Sequence, residues 1–105
     1  MEFMFAYITT RDAPEARRIG KILVAEHLAA CVNILPGMES HYWWEGKMES
    51  AQEAVLIAKT RADLREALLE RVRDLHEAQT PCVVFLPVVG GNPDYLAWLA
   101  DETEG

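Results

Sequence analysis

Cysteine is scarce in this 105-residue chain: Cys31 and Cys82 are the only two, and they form no Cys-x-x-Cys spacing. That argues against a ribbon-type zinc site and makes two reduced thiols in a cytoplasmic protein the expectation, with a single Cys31–Cys82 disulfide left open by the sequence. Basic residues are also few, 10 Lys and Arg against 17 Asp and Glu, for a net charge of −7. A nucleic-acid partner needs a concentrated basic surface, which this balance does not supply. No apolar run approaches the length of a membrane span. The opening "MEFMFAYITT" carries Glu2, no basic region and an apolar run too short for a secretory core, so no export signal is expected. Gly-x-Ser-x-Gly, Walker and dinucleotide-binding motifs are all missing, and no enzyme is read from the sequence.

What is present is an ordinary globular composition, 50% hydrophobic and 26% charged, without low-complexity segments or repeats. One domain over residues 1–105 is expected, burying about 65% of the surface its unfolded chain exposes. Residues 3–9, "FMFAYIT", read as a strand. Asp12-Ala13-Pro14-Glu15 has the form of a capping box, opening a helix expected to reach Leu28 or Ala29. A long strand over Cys31–Glu45 is interrupted by Pro36-Gly37, which predicts a bulge or bend. Glu45-Gly46-Lys47 turns it back into a strand over 48–59. A second helix opens at Thr60-Arg61-Ala62-Asp63, carries Leu64, Leu68, Val72 and Leu75 on one stripe, and ends near His76. Cys82–Pro87 reads as the last strand, and Asn92-Pro93 starts a short terminal helix.

The order βαββαβ, with right-handed crossovers, puts both main helices on one face of a four-stranded sheet: an α+β, ferredoxin-like sandwich with a long hairpin and a tail helix. The other face is bare. Yet residues 3–8, 54–58 and 83–86 are apolar at successive positions, the pattern of strands covered on both sides. The hairpin tip, "SHYWWEGK", makes the same demand. Tyr42, Trp43 and Trp44 left half covered would expose about 250–350 Å², near the largest patch of a typical monomer. The cover expected is another copy of the chain.

The segments "LAACVNILPG", "SHYWWEGK", the return strand ending in "AKT", "LH...QTP" and "NPDYLAWL" resemble, in order and spacing, the divalent-cation tolerance family CutA over nearly the whole chain. The resemblance implies a homotrimer of ferredoxin-like subunits similar to the PII-like signalling proteins, with sheets packed inward and hairpins reaching to neighbours. It implies a ligand site in the intersubunit crevice beside the aromatic tip, and a divalent cation, copper foremost, as what is bound. One departure stands out: Ala78 occupies the place of a tyrosine that usually follows the family's histidine by two residues.

Candidate ligand-binding residues are Tyr42, Trp44, Glu53, Lys59 and His76, with His76 and Cys31 as candidate metal ligands. His76 ends a helix, where an imidazolium would also satisfy the helix dipole. Cys31 offers a soft donor suited to copper, or a small buried apolar side chain. Cys82, within an apolar strand, reads as packing. Glu53 is read as a crevice residue or a solvated edge, and Lys59 as a crevice residue or the partner of a carboxylate near the second helix. Tyr42 and Trp44 would form an apolar wall or pack an interface. Gly90-Gly91 is a loop rather than an anion cradle, since Asp94 follows. Two other functions fit the sequence: a trimeric scaffold anchoring another protein, and a signalling-type small-ligand module.

Overall fold

A computed structural model describes residues 1–104. Its elements are β1 (Phe3–Thr10), α1 (Ala13–Ala25), β2 (Cys31–Trp44), β3 (Lys47–Arg61), a single 3₁₀ turn (Ala62–Leu64), α2 (Arg65–Leu75), β4 (Val83–Val88) and α3 (Pro93–Glu102). The strands form one antiparallel sheet in the order β2-β3-β1-β4. This is the ferredoxin-like arrangement read from the element order.

Alternation decides which residues face the helices. Met4, Ala6, Ile8 and Thr10 of β1 are buried, as are Ala54, Leu56, Ala58 and Thr60 of β3. Ile19 and Leu23 of α1 and Leu68 and Val72 of α2 close over them. Gly20 lets α1 come close, since a Cβ there would lie 3.0 Å from Val32 Cγ2 and 3.1 Å from Leu56 Cδ1. On the opposite face Leu35, Val84 and Leu86 stay about half exposed, and α3 covers only part of the sheet, burying Leu99.

Two boundaries differ from the sequence reading by two residues or more. α1 stops at Ala25, short of Leu28, because a C-terminal cap forms without glycine. His27 adopts φ 59°, its N–H bonding Val24 O while Leu28 N–H reaches back to Leu23 O. This is the Schellman arrangement with histidine at the left-handed position. β3 runs on to Arg61, past the expected helix start at Thr60, because Thr60 and Arg61 still pair with Met4 and Phe3 of β1. Sheet pairing here outweighs the local helix-start signal.

The bulge predicted at Pro36-Gly37 is present, with Gly37 at φ 75°. Leu35 pairs with Val55 and Met38 with Glu53, so two residues of β2 oppose Ala54 alone. The extra residue switches the parity of β2. Beyond it Met38, Ser40, Tyr42 and Trp44 share the face of Leu35, Glu53 and Tyr7, away from the helices. Contact between the Tyr7 hydroxyl and Met38 Sδ, 3.6 Å apart, agrees with that placement.

Candidate functional site

The bulged hairpin and the segment after α2 border a groove of about 870 Å³ that opens on the sheet face opposite the α1–α2 core. β1 supplies its floor through Tyr7 and Thr9. The hairpin supplies Met38, Tyr42, Trp44 and Glu53, and residues 76–82 form the opposite wall. Four of the five ligand-binding candidates, Tyr42, Trp44, Glu53 and His76, therefore border one cavity.

His76 is its most constrained member. The side chain is 4% exposed. Nε2 lies 2.7 Å from Thr9 O, and the Ala78 N–H donates to Nδ1 at 3.0 Å. With a backbone N–H on Nδ1, that nitrogen accepts and Nε2 donates to Thr9 O, while Glu15 Oε2 stands 3.8 Å from Nδ1. Both nitrogens are thus occupied, so His76 gives a metal a lone pair only by releasing Ala78. The expected dipole role falls to another residue: Arg18 donates to Leu75 O at 2.9 Å, reaching the end of α2 from α1.

Glu15 completes the wall. The Asp12 side chain caps α1 by accepting from Glu15 N–H at 2.9 Å, as the sequence predicts. The reciprocal bond is displaced by one residue, since Glu15 Oε1 accepts from Arg11 N–H at 2.7 Å rather than from Asp12. Its other oxygen accepts from Glu77 N–H at 2.9 Å. A carboxylate 1% exposed thereby holds the turn between β1 and α1 to the segment after α2, one residue from where His76 bonds β1 itself. Arg11 adds a surface ion pair to Glu77 at 2.8 Å. Sequence reasoning found Glu15 only as a cap, and missed Tyr7, Arg11 and the Cys82 border. Glu15 and Glu77 lie 62 positions apart, so no local spacing could signal their contact.

Two candidates lie elsewhere. Lys59 is outside the groove: it is six residues along β3 from Glu53, about 20 Å at the rise of a strand. Its Nζ rests 5.4 Å from the Phe5 ring centroid and 5.7 Å from that of Tyr95, a cation between two aromatic faces rather than beside a carboxylate. Cys31 is half-buried on β2 opposite Lys59, on the rung of Phe5, whereas His76 bonds Thr9, four residues or about 13 Å further along β1. The two candidate metal ligands are not brought together within one chain. Among the described residues no three His, Cys, Asp or Glu side chains converge on one point. A single chain therefore does not fit a resident metal ion, which needs at least three protein donors in its usual coordination. Cys82, read as strand packing, is exposed and borders the groove.

Comparison with known proteins gives a consistent result. Residues 4–102 match the family model described as CutA1 divalent ion tolerance protein. A rice protein named Protein CutA 1, chloroplastic, is 47% identical over 97 residues, covering 92% of this chain and 55% of the relative. The chain thus spans about half the length of the plant relatives it matches. A crystal structure of CutA1 from rice superposes with a TM-score of 0.96 at 44% identity, covering 99% of this chain and 95% of the other. The structure of an Archaeoglobus fulgidus protein, described as a periplasmic divalent cation tolerance protein CutA, superposes at 0.94 with 40% identity, covering 97% and 99%. Chloroplastic and periplasmic relatives mean that a cytoplasmic location does not follow from the likeness. No described helix is long and apolar enough to cross a membrane.

Proposed function

Since the chain belongs to the CutA1 divalent ion tolerance family, we propose that it serves cation tolerance as a self-associated binding module, a homotrimer whose ligand occupies the groove beneath the bulged hairpin. The observation that carries this reading is that Tyr42, Trp44, Glu53 and His76 all border one groove, beside apolar surface that the chain does not cover itself. Tyr42 and Trp44 are 43% and 45% exposed, and Trp43 and Met48 at the tip are more exposed still. Leu35, Val84 and Leu86 add half-exposed apolar area on the same sheet face. A further copy is the cover that costs least, because it brings the same greasy face and buries its own in return. Three copies is the number that the family resemblance implies.

In this reading a divalent cation is cargo, held by donors from more than one chain. Copper is the first ion to test, since thiolate and imidazole suit it and Cys82 and His76 border the same groove.

The test pairs sedimentation with calorimetry. The native chain should sediment as a trimer at micromolar concentration and bind Cu²⁺ with a defined stoichiometry per trimer. A Leu86→Glu chain should sediment as a monomer and lose that stoichiometric binding. A native chain that sediments as a compact monomer would overturn the reading. A scaffold role instead predicts a trimer whose groove accepts neither ions nor small molecules.

A further inference from the structure

We infer that the hairpin arm carries a capture site for a borderline divalent cation such as Zn²⁺ or Cu²⁺, chelated between the Glu39 carboxylate and His41 Nε2. This rests on the reading of a divalent cation as cargo and names where on the chain that ion is held.

Strand pairing sets the donors side by side. Beyond the bulge Glu39 pairs with Gln52 and His41 with Ser50, so these four side chains share one side of the two-stranded arm. Two positions apart on β2, Glu39 and His41 turn toward each other, with Nε2 3.4 Å from Oε1. That is long for a charge-assisted hydrogen bond, which closes to about 2.7–2.9 Å. It matches two donors that share one ion, since bonds of about 2.0–2.1 Å at a tetrahedral angle place the donor atoms roughly 3.3–3.4 Å apart. The other ring nitrogen is held by Ser50, whose Oγ lies 2.8 Å from Nδ1. When Nδ1–H donates to that hydroxyl, the Nε2 lone pair faces the carboxylate, and two electron-rich groups so placed need a cation between them. A hydrogen-bonded second nitrogen is also how a metal-binding imidazole is ordinarily oriented.

The donor types select the ion. Imidazole with carboxylate suits Zn²⁺, Cu²⁺ and Ni²⁺, whereas Mg²⁺ and Ca²⁺ prefer shells of oxygen alone and Cu⁺ prefers sulfur. Gln52, directly across from Glu39, adds an amide oxygen within side-chain reach, its Cβ about 5 Å from that of Glu39. The set falls short of three ionisable donors, and the His41 and Glu39 side chains are 58% and 73% exposed. Water therefore completes the coordination, and the ion exchanges. Such a site takes up cargo; it does not hold an ion built into the fold. Charge favours arrival, because four glutamates and one lysine stand between Met38 and Glu53. Glu39 and His41 also border the groove, so a captured ion sits at its rim.

The experiment is an NMR titration of the full chain with Zn²⁺, Cu²⁺ and Mg²⁺, with affinities from calorimetry. Zn²⁺ should shift the His41 ring protons and the Glu39, His41, Ser50 and Gln52 amides. Cu²⁺ should broaden the same signals, and Mg²⁺ at equal concentration should leave them in place. His41→Ala should abolish the shifts along the arm, Glu39→Gln should weaken Zn²⁺ binding at least tenfold, and Ser50→Ala, which frees the ring without removing a donor, should weaken it several-fold. His27→Asn, at the cap of α1, should leave the affinity unchanged. Equal shifts with Mg²⁺ overturn the inference, since they mark diffuse attraction to an acidic arm. A His41→Ala chain that binds Zn²⁺ as the native chain does, or shifts centred on His76 and Cys82, also overturns it, yet leaves the cation reading of the groove standing. If neither Zn²⁺ nor Cu²⁺ affects any signal, the capture site and the cation cargo fall together, and sedimentation decides the trimer separately.

Discussion

His76 reaches from the end of α2 to the backbone of β1, its Nε2 2.7 Å from the Thr9 carbonyl oxygen. With Ala78 N–H on Nδ1, one ring bridges two stretches of chain that the sequence separates by 67 positions. His76→Ala leaves a carbonyl and an amide without partners beside the groove, each costing about 1–3 kcal/mol where water cannot replace the ring. Urea denaturation should show a loss of about 2–3 kcal/mol. A variant as stable as the native chain would mean that water takes over both bonds.

Thr60 carries the opposite lesson. Its Oγ1 is buried on the helix side of β3 with no hydrogen-bond partner, and the residue is 0% exposed. Thr60→Val keeps the shape and removes the orphan hydroxyl, and β-branching suits the strand. Thermal or urea unfolding should show a gain of about 1 kcal/mol. A loss would indicate that an internal water satisfies the hydroxyl.

The hairpin turn is conformationally costly at its first residue. Glu45 sits at φ 50° and Gly46 at φ 80°, the pair of left-handed residues that a type I′ turn requires. Glycine accepts this freely and glutamate does not. Glu45→Asn should therefore stabilise the chain by about 0.5–1 kcal/mol, measured as a higher midpoint in denaturant, with the tip aromatics undisturbed in Trp fluorescence.

A carboxylate–guanidinium pair links the end of α1 to α2. Arg71 donates twice to Glu26, both at 2.8 Å. These bonds hold the Glu26 carboxyl below its ordinary range and raise Arg71 further. A carboxyl lowered on folding contributes stability that is present above the ordinary carboxylate range and lost as pH falls through the folded value. Both groups are solvent-facing, so the contribution is small and screened by salt. Glu26→Gln should flatten the acid limb of stability against pH slightly, at low ionic strength only. An unchanged limb would show the pair to be energetically silent.

Self-association is tested on the uncovered sheet face. Leu86 is about half exposed there. Leu86→Glu places a charge where the proposed trimer would bury it, and should shift sedimentation from trimer to monomer. Arg17→Glu on the exposed helical side should leave the assembly intact. If both variants behave alike, the interface lies elsewhere.

Several features could be read without coordinates because their causes are local. Asp12 and Glu15 announce a helix start through three-residue spacing, and Asn92-Pro93 does so again. Pro36-Gly37 announces a bulge because one residue lacks a ladder donor and the other tolerates positive φ. The end of α1 was not legible, since it uses histidine where glycine is the usual signal. The start of α2 is not legible either, because pairing with β1 keeps Thr60 and Arg61 in the ladder.

The amino-acid order alone determined the element sequence, the sheet and the surplus of apolar surface, because periodicity, caps and turn residues act over a few positions. It also marked Tyr42, Trp44, Glu53 and His76 as unusual. Only the tertiary structure decided that these four share a cavity and that Lys59 and Cys31 do not. It alone converted Glu15 from a helix cap into the buried anchor of residues 76–82. The reason is physical: alternation and register place side chains by strand pairing and by one extra residue in β2. Such contacts, between parts distant along the chain, exist only once the sheet has closed.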